Sequence, residues 1–197
     1  DSAMTKATAE FCTSLTNGMF RWGINLAEKY GAKVPLWYAG QCPLIDGQVV
    51  ILAPASEKVL LCAIDLRTGT PVFETPGVPG LGMSHASVMR LGDIYIYAGI
   101  GGIAGVAKDG RLLWVNKDFT PNVIAPSPCI LSGNRFFVTA GYGVGGAMFE
   151  ADGKGCRLLF KTDRRTLASE QQTPIHREGL LYSVLPGDAG GLRQQFA

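Results

Sequence analysis

Residues able to do chemistry are few in this chain and scattered along it. The two histidines, His85 and His176, are the natural bases or metal ligands, but they fall in separate repeats at corresponding strand or turn positions, with no ligand spacing between them. Pairing His85 with Ser84 as base and nucleophile fails, because neighbours on a strand point to opposite faces. Asp152 and Asp163 would make a carboxylate pair if strands brought them together, but turn capping is the commoner use of Asp. The run Gly141-x-Gly143-x-Gly145-Gly146 has the outline of a dinucleotide loop. It follows one strand and leads into another, however, with no helix N-terminus to meet a pyrophosphate, and so reads as a tight hairpin. The five cysteines, Cys12, Cys42, Cys62, Cys129 and Cys156, are odd in number and contain no Cys-x-x-Cys. That argues against a zinc ribbon or redox pair and favours small core residues. Binding has better candidates than catalysis. Trp37 and Tyr38 stand side by side on a connection after Pro35, and Tyr142 sits in a glycine-rich turn. Aromatics on loops of a rigid scaffold can form a binding rim, although plugging the scaffold is their commoner use.

The elements that must position these residues are announced by a repeated phrase. In Lys108-Asp-Gly-Arg-Leu-Leu-Trp114 a polar turn with Gly110 precedes a large aromatic by four residues. Gly18 and Trp22 keep the same offset, as do Gly69 and Phe73. A looser copy, Asp152-Gly-Lys-Gly-Cys-Arg-Leu-Leu-Phe160, has the aromatic five residues after Gly155. From Trp22 to Phe73, Phe73 to Trp114 and Trp114 to Phe160 the steps are 51, 41 and 46 residues, a period that points to a solenoid, propeller or array. A second marker keeps the same time: an apolar strand, a polar turn and another apolar strand, opening at Cys42, Ala86, Ser127 and Thr173.

Composition agrees with many short strands. The chain has 197 residues, 47% hydrophobic and 17% charged, with 26 Gly and 11 Pro as punctuation. A net charge of +2 without basic clusters gives no footprint for nucleic acid, and no run is long enough for a membrane-spanning helix. Thr8–Trp22 reads as a strand, a tight Asn17-Gly18 turn and a strand ending in Trp22. Asn25–Tyr30 reads as a short helix ending at Gly31. Cys42–Ile45, Val49–Ala53, Val59–Asp65 and Pro71–Glu74 read as one four-stranded antiparallel sheet, which must stack on neighbours to bury its faces. The expected units are about 1–22 (partial), 41–76, 85–118, 125–163 and 171–197 (partial, with an unfinished strand at Gln194–Ala197). On this reading the chain begins and stops inside a repeat.

The run Cys62-Ala-Ile-Asp-Leu-Arg-Thr-Gly-Thr-Pro-Val-Phe73 resembles the repeat of pyrroloquinoline-quinone-type (quinoprotein-like) β-propellers, approximately Ala-x-Asp-x-x-Thr-Gly-x-x-x-Trp. Ala63, Asp65, Thr68 and Gly69 match it, Phe73 stands for the Trp, and Asp109-Gly110 with Trp114 matches its closing part. The segment Lys29–Trp37 followed by Pro43-Leu-Ile-Asp-Gly47 is similar to exported bacterial propellers. The resemblance implies an all-β propeller of four-stranded antiparallel blades, a fragment of a seven- or eight-bladed ring that is closed by further blades or by a second copy. It further implies that Trp22, Phe73, Trp114 and Phe160 dock each blade on the next, and that the protein is periplasmic or secreted. The function expected is a non-catalytic module binding a protein or glycan partner, with no cofactor. The alternative is part of a quinone-dependent dehydrogenase using pyrroloquinoline quinone with calcium. The adjacent cysteines of that class are absent here, and its Glu, Asn and Asp set cannot be matched.

Overall fold

The computed structural model describes residues 9–13, 17–37 and 40–192. The chain opens with the antiparallel pair β1 (Ala9–Thr13) and β2 (Phe20–Asn25), followed by the short helix α1 (Leu26–Tyr30). The first four-stranded sheet is β3 (Leu44–Asp46), β4 (Val49–Leu52), β5 (Val59–Asp65) and β6 (Pro71–Pro76). The second is β7 (Met89–Leu91), β8 (Ile94–Gly99), β9 (Gly102–Ala107) and β10 (Leu112–Asn116). The third is β11 (Cys129–Ile130), β12 (Arg135–Ala140), β13 (Gly145–Ala151) and β14 (Cys156–Thr162). The hairpin β15 (Ile175–Arg177) and β16 (Leu180–Tyr182) follows, then a 3-10 turn at Gly190–Leu192. Each sheet is a meander in sequence order with antiparallel neighbours, the form of a propeller blade.

Burial explains the sequence pattern. The middle strands lie between neighbouring blades and are covered on both faces, so they read as unbroken apolar runs, as in Val59-Leu-Leu-Cys-Ala-Ile64 and Phe136-Phe-Val138. Outer strands β6 and β14 face solvent on one side and carry polar residues accordingly. One core cluster joins Leu26, Leu52, Leu61 and Tyr97 across the first units. Another joins Ile96, Trp114, Phe136 and Phe149 across the second and third sheets. Helix α1 is set by its ends: Asn25 Oδ1 accepts the Ala27 and Glu28 amides, and Gly31 closes it at φ 69°.

Successive blades are joined in two ways. At the outer edge, an extra residue (Arg21, Val72, Leu113, Leu159) bulges from the fourth strand just before the aromatic. Trp22, Phe73, Trp114 and Phe160 therefore stand in the same register, opposite Cys12, Ala63, Gly105 and Met148. Trp22 lies over Gly69 of the next sheet, within 2.6–2.9 Å of where a Cβ would stand, and its indole donates to the Leu66 carbonyl at 3.0 Å. Phe73 lies in the same way over Gly110. The Trp114 indole donates to the Asp152 carbonyl at 2.9 Å. Phe160 differs: its ring is 48% exposed, because among the described residues the unit after the third sheet is the hairpin β15–β16, with no outer turn to receive it.

Near the axis, the amide of Cys42 donates to Ser87 Oγ at 2.8 Å, that of Ser87 to Ser127 Oγ at 2.9 Å, and that of Ser127 to Thr173 Oγ1 at 2.9 Å. This relay changes one expected boundary. Strand β3 starts at Leu44 rather than Cys42, since the Cys42 amide is used between blades and Pro43 has none.

Two other expectations are corrected. Strands β1 and β2 close on the pair Thr13 and Phe20, so Asn17-Gly18 belongs to a longer connection, in which Asn17 Oδ1 accepts the Met19 amide at 3.1 Å. Ser84 and His85 lie in a connection before β7, not on a strand. Gln194–Ala197 lies outside the described residues.

Candidate functional site

Antiparallel order sorts the loops. The turns β4–β5, β8–β9 and β12–β13, together with the connections between blades, fall at one end of the sheets; the remaining turns fall at the other. Trp37, on the connection before β3, and Tyr142, in the β12–β13 turn, therefore share an end although 105 residues separate them in sequence. Their rings stack with centroids 6.4 Å apart and planes 17° from parallel. Both are open to solvent, Trp37 at 63% and Tyr142 at 56%. Both also hold a left-handed backbone, φ 64° and 57°, a conformation that a bulky residue keeps only when its surroundings enforce it.

These rings border a cleft of about 480 Å³, lined also by Gly40, His85, Val123, Ala125, Glu170 and Gln171. Every unit from the α1–β3 connection to the β14–β15 connection contributes to it. The close approach of Glu170 depends on Gly141: a Cβ there would stand 2.5 Å from Glu170 Cγ. Partial desolvation, reinforced by Glu170, pushes the Tyr142 phenol above its ordinary pKa. Beneath the cleft, Gln41 Nε2 donates to the Ser84 carbonyl at 3.0 Å and reaches the Tyr97 hydroxyl at 3.2 Å. Tyr38 lies outside the described residues.

The residues considered for catalysis are not brought together. Ser84 is buried, its hydroxyl donating to the Ala98 carbonyl at 2.7 Å and accepting the Ala86 amide, which leaves it a structural role. His85 faces the cleft while His176 lies on β15, opposite Leu181. The two histidines are thus not in corresponding places. Asp152 and Asp163 stand at opposite ends of β14, roughly 20 Å of strand apart. Each caps its own turn, Asp152 for Lys154 and Gly155, Asp163 for Arg165 and Thr166. The Gly141–Gly146 run is the β12–β13 hairpin connection. Burial pushes the thiols of Cys62 and Cys156 up to about 12 and raises that of Cys129, while Cys42 is exposed. Buried Cys62 and Cys129 and half-buried Cys156 are therefore thiols at neutral pH. Among the described residues no three His, Cys, Asp or Glu side chains converge in a metal-binding group.

Sequence reasoning did not single out Glu170 or Gln171 as part of this site, nor His85 as one of its walls. The Glu170 signal was the bare Gly141 opposite it, visible only once the strands are paired.

No protein-family model matches the chain, and no curated protein sequence matches it. Solved structures do. BamB from Moraxella catarrhalis superposes with a TM-score of 0.62 at 16% identity, over 90% of this chain and 52% of that one. Quinohemoprotein alcohol dehydrogenase from Comamonas testosteroni gives a TM-score of 0.50 at 14% identity, over 67% and 21%. The chain spans about half the length of BamB. Its four-stranded meanders, joined by aromatics on the neighbouring outer turns and by hydroxyls on amides, give it the fold of the quinoprotein-like β-propellers.

Proposed function

We propose that this chain is a binding module of an exported protein, and that the end of the sheets bearing Trp37 and Tyr142 receives a protein or glycan partner. The observation that carries this reading is the aromatic pair itself, two exposed rings from distant units, stacked and each held at positive φ. Pre-set aromatics lose little conformational entropy on binding and offer apolar faces to a side chain or a sugar ring. Glu170, Gln171 and His85 at the wall supply hydrogen-bonding groups that fix orientation. Among the described residues no helix is long and apolar enough to cross a membrane, and export is inferred from the resemblance of the repeats. The likeness to BamB is compatible with a non-catalytic role.

The alternative is a share in a quinone-dependent dehydrogenase, a reading kept by the fold shared with quinohemoprotein alcohol dehydrogenase. The cleft fits such a group poorly. Pyrroloquinoline quinone carries three carboxylates, and the wall offers Glu170 and no Lys or Arg, while Arg164, beside Gly143, turns to Asp188 at 3.8 Å. Photo-crosslinkers placed at Val123, on the wall of the cleft, and at the distant exposed Leu112 test the binding reading, alongside a glycan array. Capture or glycan binding that depends on the aromatic face and is lost in a Trp37→Ala/Tyr142→Ala variant supports it. Equal capture at Leu112, or dye reduction on adding the quinone with calcium, refutes it.

A further inference from the structure

The cleft at the aromatic end carries an unbalanced charge. Glu170 is the one carboxylate on its wall, and no Lys or Arg lines it. Three of the stretches that build the wall are themselves uncharged: residues 34–45, 119–134 and 136–149 contain no Asp, Glu, Lys or Arg. Glu170 is half-buried, and among the described residues no Lys or Arg forms an ion pair with it. Arg164, which reaches the rim beside Gly143, turns instead to Asp188 at 3.8 Å. Its neighbour Arg165 is exposed in the same turn. A half-buried carboxylate with no countercharge favours a ligand that brings one.

The carboxylate also stands where the aromatic faces can share its ligand. Bare Gly141 lets Glu170 close in next to Tyr142, near enough for the acid to raise the phenol. The rings of Trp37 and Tyr142, with planes 17° apart, present exposed faces of nearly one orientation. Ring faces attract cations, Trp most strongly. A sugar hydroxyl would gain one hydrogen bond from Glu170 and leave its charge standing, whereas a cation cancels it. Among side-chain cations the guanidinium suits this wall best. It is planar and weakly hydrated, so it stacks on an aromatic face while its edge donates N–H groups to a carboxylate. The lysine ammonium is a compact, strongly hydrated point charge that cannot lie flat on both rings.

We propose that the cleft takes an arginine side chain of a protein partner, its guanidinium stacked on the Trp37–Tyr142 face and hydrogen-bonded to Glu170. This rests on the reading of the aromatic end as a binding surface and adds the chemical group that the surface selects. The half-buried carboxylate supplies the selection, and the two rings supply the area.

The test is a titration of the 197-residue chain with short capped peptides that differ in one central residue: arginine, lysine, citrulline or glutamate, flanked by glycines. It is run at about pH 8, where an ordinary imidazole such as that of His85 is neutral. The readout is the indole N–H signal of Trp37 in nitrogen-15 spectra, assigned by its loss in Trp37→Ala. The arginine peptide is expected to shift this signal to saturation. Citrulline, which keeps the shape and loses the charge, is expected to bind at least about tenfold more weakly, lysine about threefold or more, and glutamate not at all. Glu170→Gln is expected to bring the arginine peptide down to the citrulline level. Glu178→Gln, which removes the same charge from the exposed β15–β16 turn, is expected to leave it unchanged. No shift with the arginine peptide, equal binding of citrulline or lysine, or equal effects of the two Gln variants overturns the proposal. Glycan binding that is lost in Trp37→Ala/Tyr142→Ala, without a response to the arginine peptide, overturns it while the binding reading stands. Equal capture at Val123 and Leu112, with no response to any peptide, overturns both.

Discussion

Asp46 shows how one carboxylate is held ionised at a blade boundary. It accepts the Tyr95 hydroxyl at 2.8 Å and an Arg90 N–H at 2.8 Å, with Lys108 3.5 Å away. The Tyr95 hydrogen bond, with Arg90 and Lys108, holds its pKa below the ordinary value of 3.8, while burial and Asp46 itself push Tyr95 from 10.0 up to about 12. The depressed acid stabilises the fold above about 3.8, and that contribution is lost as pH falls through its folded value. The raised phenol stabilises it below 10.0 and loses that contribution as pH rises through about 12. Asp46→Asn should lower stability at neutral pH by about 1.5–3 kcal/mol and flatten the acid limb, as measured by urea unfolding across the carboxylate range. At this scale the sequence was legible where a side chain acts locally. Asp163 caps Arg165 and Thr166 just as Asp65 caps Arg67 and Thr68; the Thr166 hydroxyl and these amides hold Asp163 below its usual range, and the Thr68 amide and hydroxyl with the Arg67 amide do the same for Asp65. Ser84 was opaque because it lies in a connection and its partner Ala98 arrives on strand β8.

The unit of construction at the next scale is the fourth strand with its bulge. The extra residue turns the following aromatic toward the neighbouring blade, and a glycine leaves room for it: Gly105 sits against the Trp114 ring so closely that a Cβ would overlap it. Gly105→Ala should therefore destabilise by about 1–3 kcal/mol with a red-shifted indole emission as Trp114 is displaced. Gly92→Ala, at an open turn, should cost less and leave the emission unchanged. Thermal unfolding followed by fluorescence checks both. The spacing of Trp22, Phe73, Trp114 and Phe160 made this element readable, because turn and aromatic are close in sequence. The bulge was hidden, since one extra residue in β10 exists only relative to β9. Residues 38 and 39 apart, the longer connection before β3 was also marked by Trp37, but its stacking on Tyr142 follows from the arc and not from either local stretch.

Across the whole molecule, stability is a chain of neighbour contacts, and the middle of the arc has neighbours on both sides. Amide hydrogen exchange should thus be slowest in β5, β8, β9, β12 and β13, whose residues are almost all buried, and fastest in β15 and β16. Mass spectrometry of exchanged peptides reads this gradient, and uniform protection along one isolated chain would contradict it. The propeller class was legible because two markers recur in phase. The handedness of the joints, donor on one blade and acceptor on the next, was not, since nothing in the phrases at Cys42, Ser87, Ser127 and Thr173 says which atoms meet. That joint asks for very little: an amide on one side and a single polar atom beyond Cβ on the other. Such a contact constrains only one small side chain per boundary, so the choice of fit between neighbours is left to the aromatic joint at the outer edge.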